Sequence, residues 1–290
     1  MTGLKFGRKA NTFAGHSIYI IAVAFFLLFS LGPIAWSFVI SITPSSEMQS
    51  GTTSIFPGAP TLENYKTLLF NSSDSQGIVF RKGLANTMKA SFLSIIFGIP
   101  MAVLGAYPLA RMKFKGRMII KNGLLITMVI PVFATIIPLF KIFTVFNLID
   151  SYTGLTMVYI TSSLPLATWL ISSCFESLPR ELEEAAFVDG SGSFRTLVKI
   201  IIPVSYPAIF AATLIMFLYS WNQFLVPLVL SPSYETKPIA VIASEFVTKT
   251  TVKYGLMNAG GILAILPPAV IAVAFRRFLV QGLVGGATKG

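Results

Sequence analysis

Glu184-Ala185-Ala186-Phe187-Val188-Asp189-Gly190, followed after nine residues by Ile200-Ile201-Ile202-Pro203, holds the residue types best suited to gripping another protein. Glu181, Glu183 and Glu184 offer carboxylates to a partner's Arg or Lys through charge-assisted hydrogen bonds. The small alanines let a second surface come close. A different chemistry is offered by Tyr219-Ser220-Trp221-Asn222-Gln223-Phe224, where two amides stand among aromatic rings in an otherwise apolar run. Buried amides are costly unless they face a cavity or another helix. Rings mixed with amides suit a sugar, which presents apolar C–H faces and a rim of hydroxyls. The same residues also fit hydrogen bonding between helices and an interfacial aromatic belt, so two readings are open.

Catalytic chemistry finds no comparable support. The sequence has no phosphate-binding G-x-x-x-x-G-K-[ST] loop. Gly190-Ser191-Gly192 fails as a dinucleotide fingerprint, because Arg195 takes the third glycine's place and no strand precedes it. No Asp or Glu lies deep in an apolar run, where an ion-coupled carrier needs one. Cys174 is the single cysteine, which excludes an internal disulfide and a cysteine metal cluster, and His16 is the single histidine, at the edge of an apolar run. Catalytic, cofactor and metal sites are therefore expected to be absent from this chain, and energy is expected to come from a partner that grips the Glu184 loop.

Two short helices must position that loop. Pro179 near the start, acidic residues in the early turns and Gly190 at the end define the first. Leu178, Leu182, Ala185 and Ala186 give it one apolar face. The second starts at Ser193, with Phe194, Leu197, Val198 and Ile201 in helical register and Arg195 and Lys199 on a polar face. Asp189-Gly190-Ser191-Gly192 joins the two into a rigid knob, and Asp189 is expected to fix the turn through its side chain.

The rest of the chain reads as membrane helices. Hydrophobic residues make up 54% and charged residues 11%, and the mean hydropathy is +0.77, which excludes an ordinary soluble domain. Charge-poor apolar runs at about 17–42, 86–110, 119–143, 154–174, 202–230 and 260–275 predict six spans with both termini on one side. The first is too long for a signal peptide and has no cleavage pattern after it. Lys5, Arg8 and Lys9, then Arg111, Lys113, Lys115, Arg117 and Lys121, then Arg276 and Arg277 mark the cytoplasmic side, where the Glu184 loop also falls. Arg81, Lys82 and Lys89 lie on the opposite side after a long segment that translocates regardless of charge, and Lys89 is expected to snorkel. Prolines 100, 131, 138, 165, 227, 267 and 268 interrupt the runs, as kinks or as ordinary membrane-helix residues, and Gly98, Ala102 and Ala106 form a close-packing face.

The pattern E-A-A-(three residues)-G-(nine residues)-I-x-(L or I)-P resembles the cytoplasmic coupling loop of permease subunits of binding-protein-dependent ABC importers. From about Leu84 to Lys289 the chain is similar to the MalG-like, six-span carbohydrate branch. The shared segments are Asn86-Thr87, Leu148-Ile149-Asp150-Ser151-Tyr152, Pro179 to Ala186, Trp221-Asn222-Gln223-Phe224, and Arg277 to Leu283 with the tail to Gly290. Ser191 departs from the family's usual Ala and Gln223 from its frequent Glu.

The resemblance implies an all-α polytopic membrane protein with both termini cytoplasmic. Residues 1–85 would hold the N-terminal tail, first helix and extracytoplasmic loop, 86–281 the five-helix permease core with coupling loop 175–202, and 282–290 a flexible cytoplasmic tail. It implies a second permease subunit, a cytoplasmic ATPase dimer carrying the ATP and Mg, an extracytoplasmic solute-binding protein, a bacterial or archaeal cytoplasmic membrane and no nucleic acid. Glu184, Ala185, Ala186, Asp189, Gly190 and Pro203 would couple to the ATPase, while Tyr219, Trp221, Asn222 and Gln223 would line the substrate path. The competing expectations are a non-sugar cargo for the same kind of importer, or a self-contained secondary carrier, for which internal repeats and midplane charges are not visible.

Overall fold

The computed structural model of the protein describes the backbone of residues 4–49, 56–246 and 253–277; the side chains of 4–15, 17 and 49 fall outside that description. Among the described residues every regular element is a helix. In chain order they are α1 (Leu4–Ser41), α2 (Ser45–Gln49), α3 (Glu63–Leu69), α4 (Ser75–Arg111), α5 (Arg117–Thr127), α6 (Val132–Val145), α7 (Tyr152–Ser177) and α8 (Glu181–Val188). Then come α9 (Ser193–Thr196), a π-helical turn (Leu197–Ile201), α10 (Ile202–Val204), α11 (Tyr206–Trp221), α12 (Leu225–Leu230), α13 (Ile239–Glu245) and α14 (Tyr254–Ala274). The side chains of Lys5, Arg8 and Lys9, residue Lys249 and the tail 282–290 lie outside the described residues.

Among the described residues, four helices are long and apolar enough to cross a membrane: Ile18–Ser41 within α1, α4, α7 and α14. The apolar runs at 119–143 and 202–230 are not single straight helices. The first is split into α5 and α6, which meet at 95°, and the second bends by 81° between α10 and α11. Each bent pair counted as one span brings the total to six. The physical reason for the first bend is Pro131, which offers no N–H to the helix and drives Ile130 away from helical angles. The α5 end tightens accordingly, with Met128, Val129 and Ile130 bonding three residues back to Leu125, Ile126 and Thr127. At the second bend Ser205 caps the preceding turn by donating its backbone N–H to Ile201 and Ile202, and Pro207 opens α11.

The chain forms two compact units. One comprises Met1–Asn71 with Phe246–Leu263. Inside it the Ser41 and Tyr65 hydroxyls lie 2.6 Å apart, and Asn64 donates to the Ser41 carbonyl at 2.9 Å, which fixes α3 against the end of α1. Glu47 accepts from the backbone N–H groups of Gly58 and Ala59.

The other unit, Ser72–Glu245 with Ala264–Gly290, is built on α4, α7 and α11, which pack against one another. Asp74 caps α4 by accepting from Gln76 and Gly77 N–H, and Ser151 caps α7 through Gly154 N–H. Ala102 and Ala106 of α4 are fully buried with Leu170, Ile171 and Phe175 of α7 and Ala211, Ala212 and Met216 of α11. Small residues there let the helices approach closely, as a membrane interface without a hydrophobic driving force requires.

At the other end of this unit a polar network ties the segment after α12 to α4 and α7. Asp150 accepts from Ser233 and Thr236, Asn86 donates to the carbonyls of Tyr234 and Lys237, and Tyr152 donates to Asn86 and to Glu235 O. Lys82 pairs with Glu235, and Lys89 Nζ stands 3.7 Å from the centre of the Tyr152 ring. Burial and then the Glu245 carboxylate push the Tyr234 hydroxyl above its usual pKa, against the pull of Lys237.

Candidate functional site

Helix α8 is as short and as cleanly ended as its sequence predicts. Gly190 has φ +77°, its N–H donates to Phe187 O at 3.0 Å, and Ser191 N–H donates to Ala186 O at 2.9 Å. These two bonds satisfy the last carbonyls of α8 and make a Schellman motif, which favours glycine because an L side chain is strained at that φ. The turn is thus closed by backbone, and not by the exposed Asp189 side chain. After the turn, α9, the π-helical turn and α10 run on to the Ser205 bend, with Pro203 exposed in the final turn.

The faces of this knob differ from the apolar count. Ala186, Leu197 and Ile201 are buried, while Ala185 faces outward with Glu184, Phe187 and Val188. Val188 is 88% exposed and Phe194 71% exposed, so the outward face carries large apolar side chains beside carboxylates. Exposed apolar side chains rimmed by charge are the composition of interaction surfaces in general.

Glu183 turns the other way, a feature the sequence reading missed. Tyr107 donates to its Oε1 at 2.9 Å, and Arg111 Nε lies 3.2 Å from its Oε2 as an ion pair whose N–H does not line up as a hydrogen bond. Arg111 also donates through Nη2 to Leu178 O at 3.0 Å, the carbonyl just past the end of α7. Nearby, Arg117 and Lys121 of α5 grip the two oxygens of Glu176 at 2.6 and 2.7 Å. The available signal was Tyr107 and Arg111 four apart at the end of one span, facing a run of three glutamates.

The second candidate set sits elsewhere. Asn222 and Gln223 do not lie within a continuous helix: α11 ends at Trp221, and both amides occupy the break before α12. Asn222 is exposed and uses Nδ2 to bond Leu218 O at 2.8 Å, satisfying its own helix end. Trp221 is 3% exposed, packs at a tilt against Phe217 and donates Nε1 to Ala264 O of α14 at 3.1 Å. Tyr219 and Gln223 are half-buried. The structure therefore brings Tyr219, Asn222 and Gln223 to one broken helix end and commits Trp221 to an interhelical contact.

Residues 94–285 match the family described as binding-protein-dependent transport system inner membrane component. The chain belongs to this family. Among its relatives, the sulfoquinovosyl glycerol transport system permease protein of Agrobacterium fabrum is 32% identical over 285 residues, covering 97% of this chain and 96% of that protein. The trehalose transport system permease protein of Mycobacterium tuberculosis is 32% identical over 269 residues, covering 90% and 93%. A solved bacterial ABC transporter involved in import of the acidic polysaccharide alginate shares the fold, with a TM-score of 0.78 and 22% identity over 93% of this chain and 97% of that one. The family is one of inner-membrane transport subunits, in keeping with the apolar helices described above.

Proposed function

We propose that this chain is one of two permease subunits of an ABC importer for a sugar or related carbohydrate, driven by a separate cytoplasmic ATPase dimer that carries the ATP and Mg and loaded by an extracytoplasmic binding protein. The carrying observation is α8: its inner face is locked to the helix bundle while Glu184, Ala185, Phe187 and Val188 are offered outward on a rigid, glycine-terminated element. Closure of an ATPase dimer gripping Glu184, Ala185, Asp189 and Gly190, with Ala186 packed inward against the bundle, would pull on α7 through Leu178 and on α11 through Pro203. The carbohydrate class is supported by the transport names of the relatives, and by amides and rings at the α11 break.

In this reading the chain has six spans, with α5–α6 and α10–α11 as bent ones, and both termini face the cytoplasm of a bacterium or archaeon. Residues 86–281 are the permease core, with 1–85 and 282–290 outside it. Single cysteines in a Cys174→Ser background test the orientation with an impermeant maleimide on intact cells. Ser73→Cys and Lys249→Cys should label, while Arg117→Cys, Glu184→Cys and Arg277→Cys should not; the reverse pattern rejects the orientation. Reconstitution tests the function. The full complex should import a radiolabelled sugar only with ATP on the cytoplasmic face, and the chain alone should import none under an ion gradient. Import by the chain alone would make it a secondary carrier.

Asn222→Leu tests the cargo path. Loss of a neutral hydrogen bond to a passing sugar is worth about 0.5–1.5 kcal/mol, or roughly two- to tenfold in affinity. The expected outcome is an altered sugar competition profile, alongside the small drop in melting temperature that losing the Asn222 Nδ2 bond to Leu218 O brings. An unchanged profile with a depressed melting temperature confines Asn222 to capping α11 and rejects the cargo role.

A further inference from the structure

The three glutamates of α8 are not equivalent, and the difference assigns a second role to the coupling element. Glu181 and Glu184 are exposed, whereas the Glu183 side chain is 10% exposed and faces an Arg111 side chain that is 5% exposed. A charge pair this deeply withdrawn from water is held in place by its surroundings, because either partner alone would be an uncompensated buried charge. Its surroundings are three different elements. Arg111 is the last residue of α4, the Leu178 carbonyl it also holds belongs to the residue that ends α7, and the carboxylate belongs to α8. Tyr107, one helical turn before Arg111, reaches the second carboxylate oxygen and packs edge-on against Phe175 of α7.

Resting on the coupling role of α8, we propose that Glu183, Arg111 and Tyr107 form a latch that makes α8 move as one body with the cytoplasmic ends of α4 and α7, so that Glu183 is a positioning residue for transport. A chain connection alone does not do this. Between α7 and α8 stand only Leu178, Pro179 and Arg180, with Leu178 extended at ψ 144°, a joint about which a free α8 would swivel. The guanidinium removes that freedom by donating to the Leu178 carbonyl while pairing with the Glu183 carboxylate, a combination a single apolar contact cannot reproduce. It also brings in α4, which the chain connects to the loop only by way of α5, α6 and α7. The pull delivered at the outward face of α8 thereby reaches two spans of the bundle at once.

The test uses the complex assembled with its permease and ATPase partners in lipid nanodiscs, in a Cys174→Ser background. Nitroxide labels at Glu181→Cys and Met112→Cys report the α8–α4 separation by dipolar broadening, before and after trapping with MgATP and vanadate. With the latch intact, the broadening should be the same in both states. Glu183→Gln should lose the broadening on trapping and lower the melting temperature. The double variant Arg111→Met with Glu183→Met removes both charges and refills the space, so its melting temperature should return to the parent value while the broadening is still lost. A merely structural pair predicts that both readouts recover together, and a double variant that keeps its broadening in the trapped state overturns the latch. A parent complex that traps no nucleotide overturns the coupling reading along with it, which separates the two failures.

Discussion

Gly190→Val should leave a membrane-inserted, correctly assembled subunit whose cargo uptake falls by roughly 5–30-fold. The reasoning starts from the backbone. Gly190 sits at φ +77°, and a Cβ built there meets nothing within 4 Å, so crowding by neighbours plays no part. What remains is the intrinsic cost of the left-handed region, about 1–2 kcal/mol for an ordinary residue, and valine is worse placed than most because its branch crowds the following carbonyl. A penalty of that size shifts a local equilibrium by a factor of roughly 5–30. The equilibrium concerned is whether Gly190 and Ser191 N–H stay on Phe187 O and Ala186 O, and hence whether α8 and α9 keep their mutual angle. Global stability has little at stake in an exposed turn, so assembly should survive while the linkage does not. Gly190→Asn supplies the control, since asparagine tolerates this region and should retain most of the uptake. Uptake per assembled complex is the measurement, and a parental rate for the valine variant would sink the idea.

The reason this prediction was available from sequence alone is that helix ends are written locally. Glycine after an apolar helical period, with acidic residues in the first turn, specifies α8 within a residue or two of its observed limits. The apolar runs were equally legible, because hydropathy is a property of each segment by itself. Direction was not. The 95° turn at Pro131 and the 81° turn at Ser205 depend on where a broken helix finds its next packing partner, and a count of apolar residues passes through both. Asn222 shows the same limit: read as a mid-span amide, it instead caps α11 in a break that no single residue announces.

Glu183 was invisible for a different reason. Periodicity sorts side chains by polarity and sends every glutamate to water, but a carboxylate goes inside when a guanidinium and a phenol from a distant helix are waiting for it. Such pairing is a property of tertiary contact. The Asn147–Asp150 turn lies between these cases, since Asn and Asp are the residues that tolerate positive φ and both take it here, at 54° and 56°. The residue types were in plain view, and only the geometry they serve had to be seen.

That turn is the site of the largest stability effect to be expected from adding one methyl group. In Gly154→Ala the new Cβ would stand 2.3 Å from Leu148 O and 3.1 Å from Ser151 Oγ. Neither oxygen is free to withdraw. Ser151 Oγ donates to Leu148 O at 2.7 Å and accepts from Gly154 N–H at 3.0 Å, so moving either one uncaps α7. Leu148 is tied in turn by its N–H to Phe143 O at 2.8 Å, and Asp150 N–H is bonded to Leu230 O at 2.8 Å. Overpacking of this kind costs about 1–3 kcal/mol, and losing the cap adds about 1 kcal/mol. At roughly 2–4 °C per kcal/mol for a chain of this size, the purified complex should melt about 5–15 °C lower. Gly105→Ala is the matched control on α4, where the added Cβ meets only Thr168 Cγ2 at an ordinary 3.6 Å and should change the melting temperature by less than about 2 °C. Because Asp150 also holds Ser233 and Thr236, the damage at Gly154 should spread to the segment after α12, and faster hydrogen exchange at residues 231–238 would register it. Equal melting temperatures for the two alanine variants would mean that the start of α7 yields to the methyl, and that the turn is softer than its bonds imply.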